Sequence, residues 1–326
     1  MSDSALPRYA FAAPQLPWPG VLLAAAAWAA AGAVIRFWPD EADFTRTLAV
    51  IVFGIAVALS LLAALGPYLP ERAAKIRFAA PWAIALAIAL AGWEIITAKT
   101  GTLPRPFFVP PQELLGVFVD DWAKLLECVF HSVILLGSGY ALGSILGFLT
   151  GLALGWSKAV GYWGHPILRL VGPLPATAWL PIAFFMFPSS WSAAVFLIAL
   201  ASGLPVAILT WSGVSAVGGA YYDIARTLGG SPRFLVLKVT IPAAMPSVFV
   251  GLFMGLSASF AVLVVAEMMG VKAGLGWYLQ WAQGWAAYGN MYAALAVMAV
   301  MCSTLVTLLF QVRGRLLAWQ KGLLRW

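Results

Sequence analysis

The chain has 326 residues, of which 63% are hydrophobic and only 10% charged, and its mean hydropathy is +0.92. No soluble domain hides that much apolar surface, so a soluble enzyme or a soluble binding module is excluded. The formal net charge of +7 could by itself signal a nucleic-acid partner, but the basic residues are placed as a topological signal, and no nucleic acid is expected.

Crossing a hydrocarbon core of about 30 Å takes roughly 20 helical residues. Stretches of that length lie near 20–38, 47–66, 79–97, 132–155, 170–187, 192–213, 243–268 and 290–312. The chain therefore reads as an all-α polytopic membrane protein of about eight spans. Residues 24–33 are rich in small side chains, like a cleavage region, but Arg8 alone would supply the basic flank of a signal peptide, so this stretch is retained as the first span. Glu94 falls near the end of the third span and is expected to reach water. Pro104, Pro106, Pro110 and Pro111 give a stiff, extended lead-in to residues 112–129. There Leu114, Leu115, Phe118, Trp122, Leu125, Leu126 and Val129 recur every three to four residues, opposite Asp120, Asp121, Lys124 and Glu127. The period predicts one amphipathic helix lying on the outer surface.

The fourth span carries glycines at 139, 143, 147, 151 and 155, a spacing that puts all five on one face and lets another helix approach closely. Pro173, Pro175 and Pro181 predict that the fifth span is broken or kinked. Cys128 reads as a loop residue and Cys302 as part of an apolar span, so no disulfide is expected. His131 and His165 fall in separate loops on opposite sides, and neither is a metal-site candidate. Glu267 sits at the outer end of the seventh span, where an ionisable group is either a gate or pathway element or a carboxylate that caps backbone donors or pairs with Lys272. Trp277, Trp281 and Trp285 share a helical face in the last outer loop, as an interfacial belt or as a lid over a pathway. Sixteen Trp and nine Tyr in all fit two lipid–water interfaces.

Orientation follows from Lys and Arg placement. With both termini cytoplasmic, the inner segments hold Arg8, Arg72, Lys75, Arg77, Lys158, Arg169, Arg226, Arg233, Lys238, Arg313, Arg315, Lys321 and Arg325, against Arg36, Arg46, Lys99, Arg105, Lys124 and Lys272 outside. Asp40, Glu41, Asp43, Glu113, Asp120, Asp121 and Glu127 also fall outside.

Between the sixth and seventh spans, residues 221–246 read as two short helices around a turn. Asp223 belongs in a first helical turn, at the positive end of the helix dipole. Gly229 and Gly230 stop that helix, with Gly229 at a position that favours positive φ. Ser231 caps a second helix with Pro232 at its first position. Leu228, Phe234, Leu235 and Leu237 are apolar in a cytoplasmic loop among Arg226, Arg233 and Lys238, which calls for a partner protein.

This stretch resembles the EAA loop of binding-protein-dependent ABC importer permeases. Asp223 matches the acidic position, Ala225 the second alanine, Gly229 the signature glycine, and Ile241, Pro242, Ala243, Ala244, Met245 and Pro246 the proline-flanked segment that follows. Ile224 replaces the first alanine, and Gly230 stands where alanine or serine is usual, which would loosen the turn. The run Gly172 to Pro181, with Pro175 and Trp179, is similar to the third core helix of the nitrate, sulfonate and taurine branch. Ala266, Glu267 and Met268, followed by Gly274, Leu275, Gly276 and Trp277, are similar to the exit of its fifth helix. The short outer segment Pro188, Ser189, Ser190, Trp191 departs from the branch.

The resemblance implies a six-helix type I permease core over residues 79–320 with a coupling loop at 218–246, an N-terminal extension of two extra spans at 1–78, and a cytoplasmic tail at 321–326. It places ATPase coupling on Asp223, Ala225, Arg226, Leu228, Gly229, Gly230, Ser231 and Phe234. Gate or pathway candidates are Glu267, Trp277, Trp281, Pro175 and Trp179. It further implies a bacterial inner-membrane importer of a small anionic solute such as nitrate, a sulfonate, taurine or a related organic acid. The partners would be two ABC ATPase subunits, a second or related permease, a periplasmic or lipid-anchored solute-binding protein, and membrane lipid. The chain has no Gly-x-x-x-x-Gly-Lys-Ser/Thr sequence, so ATP and Mg would be held by the partner ATPase and no cofactor by this chain. An intramembrane enzyme would need converging catalytic groups, and the spans offer only Glu94 and Glu267. A secondary transporter would show symmetric repeats with intramembrane carboxylates, and none is visible.

Overall fold

The computed structural model describes residues 18–40, 42–65 and 70–319. Arg8, Glu41, Lys321, Arg325 and the 321–326 tail lie outside them. Helix is the only regular structure among the described residues, as the bilayer requires of a spanning chain that is not a closed barrel. Seven helices there are long and apolar enough to cross a membrane, and a bent pair makes an eighth crossing if counted as one.

The contacts divide the chain into two compact units. The first runs to Asp121 and adds Tyr288–Tyr292; the second holds Trp122–Ala287 and the chain from Ala293 onward.

In the first unit α1 (Trp18–Phe37) and α2 (Thr45–Leu65) pack on α3 (Pro70–Glu94). Ala31, Ile35, Leu48, Ala49 and Val52 form the shared core, joined by Leu90 and Ala91 of α3. Trp28 donates its indole N–H to the Ala83 carbonyl across the α1–α3 contact at 2.9 Å. A wide turn at Ile95–Lys99 extends α3 and delivers Lys99 into a buried polar cluster. The Lys99 ammonium caps the end of α1 by donating to the carbonyls of Ile35 (3.2 Å) and Trp38 (2.7 Å), where a cation meets the negative end of the helix dipole. It also pairs with Asp40 and lies 3.2 Å from Glu94. Gln112, at the start of α4 (Pro111–Asp120), donates to Glu94 at 3.3 Å and to Asp40 at 3.4 Å. Burial alone would push the Asp40 carboxyl up. The hydrogen bonds from Lys99, the Thr45 hydroxyl and the Ala42 N–H together hold it below the ordinary aspartate value.

Glu94 therefore does not reach water: it is fully buried, because the loop after α1 and the start of α4 close over it. The amphipathic stretch at 112–129 is likewise not one helix. It breaks at Asp121, which ends α4 while α5 (Trp122–Trp156) starts afresh and runs on as the fourth span. The 3.6-residue period continues through the break, so the pattern carries no trace of it. Cys128 and His131 consequently lie in α5 rather than in loops, and Cys128 is buried. His165 lies in α6 (Lys158–Val171), packed on Trp211 with ring centroids 4.3 Å apart.

In the second unit α5 packs along α8 (Ser190–Ser215), and α8 packs in turn on α11 (Ile241–Met269). The five glycines of α5 face α8. A Cβ at Gly143 would lie 2.1 Å from Ser202 Oγ and 2.3 Å from the Ala199 carbonyl, and one at Gly147 2.4 Å from the Gly203 carbonyl. On the other side of α8, Gly251 and Gly255 of α11 meet the backbone at Pro205, Val206 and Ser202. The fifth crossing is broken as its prolines predict. α6 and the segment Ala176–Met186, which ends in α7 (Leu180–Met186), are bent by 87° around Gly172 to Pro175. The Phe184 ring of α7 lies against Gly270 at the end of α11, where a Cβ would come within 2.1 Å of it.

Two stability tests follow. Gly143→Ala, whose methyl meets backbone, should destabilise the solubilised protein by about 1–3 kcal/mol. Gly137→Ala, on the same helix with nothing within 4 Å of the new methyl, should be neutral or stabilising by about 0.5–1 kcal/mol; thermal unfolding in detergent compares the two. Lys99→Met strands two buried carboxylates and should cost about 3–5 kcal/mol in the same assay.

Candidate functional site

α11 is 29 residues long and so spans about 43 Å, with a candidate site at each end. At its N-terminal end lies the glycine turn. α9 (Gly219–Thr227) ends at Leu228, and Gly229 follows with φ +81°, the left-handed value that glycine adopts without a Cβ penalty. The Gly230 N–H bonds back to the Ala225 carbonyl at 2.8 Å and the Gly229 N–H to that of Arg226 at 2.9 Å, satisfying the end of the helix. Gly230 does not loosen this turn. A Cβ there would stand 2.6 Å from the Ala225 carbonyl, so the tight closure itself demands glycine. Ser231 caps α10 (Pro232–Phe234) by accepting the Phe234 N–H at 3.3 Å, with Pro232 at the first position. Asp223 is not in the first turn, because α9 begins at Gly219; it stands one turn in, 3.8 Å from Arg226, and both side chains are exposed.

A wide turn at Leu235–Thr240 leads into α11, where Pro242 near the start and Pro246 further in offer no N–H to the carbonyls four residues back. Thr240 Oγ1 donates to the Leu235 carbonyl at 3.0 Å and lies 3.1 Å from the Tyr222 hydroxyl, tying α9 to the root of α11. The result is a cleft of about 920 Å³ lined by Tyr221, Ile224, Leu228, Phe234, Lys238 and Trp319 among others. Ala225 is buried beneath it, whereas Leu228 is 82% exposed, Tyr221 65% and Phe234 48%. Of the predicted coupling residues, Ala225, Leu228, Gly229, Gly230, Ser231 and Phe234 line this cleft. Asp223 and Arg226 do not line it: helical spacing turns them to the opposite side of α9, where they form an exposed pair that contributes little to stability.

At the C-terminal end of α11, Glu267 is buried to 1% exposure. Oε1 accepts the Ser132 hydroxyl at 2.7 Å, and Oε2 accepts the Gly276 N–H at 2.7 Å. Ser132 Oγ accepts the Leu275 N–H at 2.9 Å. The carboxylate thus meets one backbone donor at the start of α12 (Leu275–Gly284) and is not paired with Lys272. Gly274 (φ +115°) makes room for it, since a Cβ would lie 2.2 Å from Oε1. Sequence reasoning missed Ser132. Its signal was a hydroxyl in an apolar span, and its partners lie 135 and 143 residues away.

The other pathway candidates separate. Pro175 lines a cavity of about 530 Å³ with Thr177, Pro205, Ile208, Met254 and Val262. Trp179, Trp277, Trp281 and Glu267 do not line it. Trp277 carries the Lys124 ammonium over its ring at 5.4 Å, while Trp281 and Trp285 are exposed. Among the described residues no cluster of His, Cys, Asp and Glu could hold a metal ion.

The family described as the binding-protein-dependent transport system inner membrane component matches residues 142–318. The chain is 29% identical over 257 residues to the nitrate import permease protein NrtB of Synechococcus elongatus, covering 75% of this chain and 89% of that one. It is 30% identical over 241 residues to NrtB of Leptolyngbya laminosa (72% and 84%) and 30% identical over 247 residues to the bicarbonate transport system permease protein CmpB of Synechococcus elongatus (72% and 85%). The family match takes in the glycine seam from Gly143, the glycine turn and α11, and with these relatives it shows that the chain is a multi-pass ABC importer permease belonging to the binding-protein-dependent inner membrane component family, in its nitrate, sulfonate and taurine branch.

Proposed function

We propose that this permease forms half of a translocation path for a small anionic solute and couples it, through residues 218–246, to a separate ATPase. The observation that carries the reading is the glycine turn: Tyr221, Leu228 and Phe234 are large, apolar and exposed around a 920 Å³ cleft at one end of α11. An exposed apolar group with the Lys238 ammonium beside it fits a protein partner. The segment is rigid, being closed by the Gly230–Ala225 and Tyr222–Thr240 bonds at both flanks, so a push on it travels as a rigid-body displacement of α11.

Nitrate and bicarbonate permeases among the relatives support an anion, and a path poor in carboxylates favours one electrostatically. The partners in this reading are two ATPase copies that hold ATP and Mg, a second or related permease, and a solute-binding protein that selects the cargo. Residues 1–78 would be an extension to the six-helix core of 79–320, and both termini would be cytoplasmic.

Orientation is open to direct test. Single Arg226→Cys and Arg315→Cys variants should resist a membrane-impermeant thiol reagent in intact cells, while Asp120→Cys should react; the reverse pattern removes the topology.

Coupling is tested at Gly229. No atom lies within 4 Å of a Cβ built there, so Gly229→Asp leaves the chain's own packing intact. It adds about 1 kcal/mol or more of backbone strain and places a charge on the docking face. Normal membrane insertion, loss of the copurifying ATPase and loss of uptake are expected. Wild-type uptake with wild-type ATPase retention would rule out coupling through this turn.

A further inference from the structure

At the end of α11 opposite the glycine turn, three elements are closed into one hydrogen-bonded ring. Ser132 of α5 donates to Glu267 of α11 and accepts from Leu275, while Glu267 accepts from Gly276, the next residue along. Both side chains are almost completely removed from solvent, so every bond in the ring forms in a medium that offers no replacement partner. The first backbone donors of α12 are thus satisfied by α5 and α11 rather than by α12's own N-cap, which is a glycine.

We propose that Ser132 and Glu267 are a positioning pair that clamps α12 shut across the ends of α5 and α11 by geometry rather than by charge. α12 carries Trp277 and Trp281, so the clamp sets where that aromatic helix stands. Resting on the reading of this chain as an importer permease, this face is where solute enters, and releasing the clamp frees the entry helix. Two glycines make the clamp possible. Gly274 supplies the positive φ and the space for the carboxylate, and a Cβ at Gly276 would lie 2.7 Å from the Val264 carbonyl and 2.8 Å from Glu267 Cβ.

A geometric clamp and a charged pathway residue make opposite demands on an amide. In Glu267→Gln the amide oxygen can accept the Gly276 N–H. The amide nitrogen can donate to Ser132 Oγ, which still accepts from Leu275 while its own hydrogen turns to the carbonyl one helical turn back. The ring closes without the charge. Glu267→Ala opens it fully, and Ser132→Ala removes two bonds by deleting one oxygen.

Cys128, buried one helical turn before Ser132, is a native reporter of opening. The chain has two cysteines, so Cys302→Ser leaves it alone. The permease in this background, coexpressed with its ATPase and solubilised, is treated with a hydrophilic maleimide and followed by mass. Slow labelling is expected for the parent and for Glu267→Gln, and labelling faster by about tenfold or more for Glu267→Ala and Ser132→Ala, the effect of losing one net hydrogen bond. If Glu267→Ala does not accumulate in the membrane, Ser132→Ala and Glu267→Gln decide. Parental protection in Ser132→Ala, or labelling of Glu267→Gln at the rate of the alanine variants, overturns the clamp. Failure of the parent chain to retain any ATPase would instead count against the importer reading, and the labelling comparison would still judge the ring.

Discussion

The second unit depends on the approach of α5 to α8. Five glycines spaced at four leave no side chain of α5 between the two backbones, and the contact is so close that a single methyl at Gly143 would penetrate the facing carbonyl. Inside a membrane there is no hydrophobic drive to bring helices together, so close van der Waals packing of this kind takes its place. α8 is then fixed on one side by α5 and on the other by the glycines of α11. Both candidate sites inherit their rigidity from this arrangement, because each is rooted at one end of α11.

Glycine solves three different problems along that path. At Gly229 it supplies a backbone angle in open space; at Gly230 it supplies space at an ordinary angle; at Gly274 it supplies both. A substitution at the first strains the turn without a clash, at the second drives the helix end apart, and at the third displaces a buried carboxylate. Residues that look equivalent in a sequence thus carry separate physical costs.

Much of this was legible before the structure. The positions of seven spanning helices, the shared face of the glycine stripe, the break at the prolines and the positive φ at Gly229 all follow from local rules that involve neighbours within a few residues, whereas the stretch expected to span at 170–187 begins as a helix already at Lys158. What was not legible depends on distant partners. Glu94 looks like a helix-end carboxylate, and only the loop at Asp40 and the Gln112 side chain make it a buried one. Ser132 looks like one polar residue in an apolar run until Glu267 arrives 135 residues later. The break at Asp121 is invisible for another reason: both flanking helices keep the same period, so the pattern reports helicity and not where one helix ends and the next begins.

The polar cluster of the first unit also sets a schedule for the growing chain. Asp40 and Lys99 are separated by 59 residues, which at about 5–20 residues per second takes on the order of several seconds to synthesise. Throughout that interval the carbonyls at the end of α1 and the Asp40 carboxylate are complete, but the ammonium that satisfies them has not been made. The N-terminal helix pair must therefore be received into the bilayer with its polar end still facing water or the insertion machinery, and it is sealed only when α3 brings Lys99 alongside.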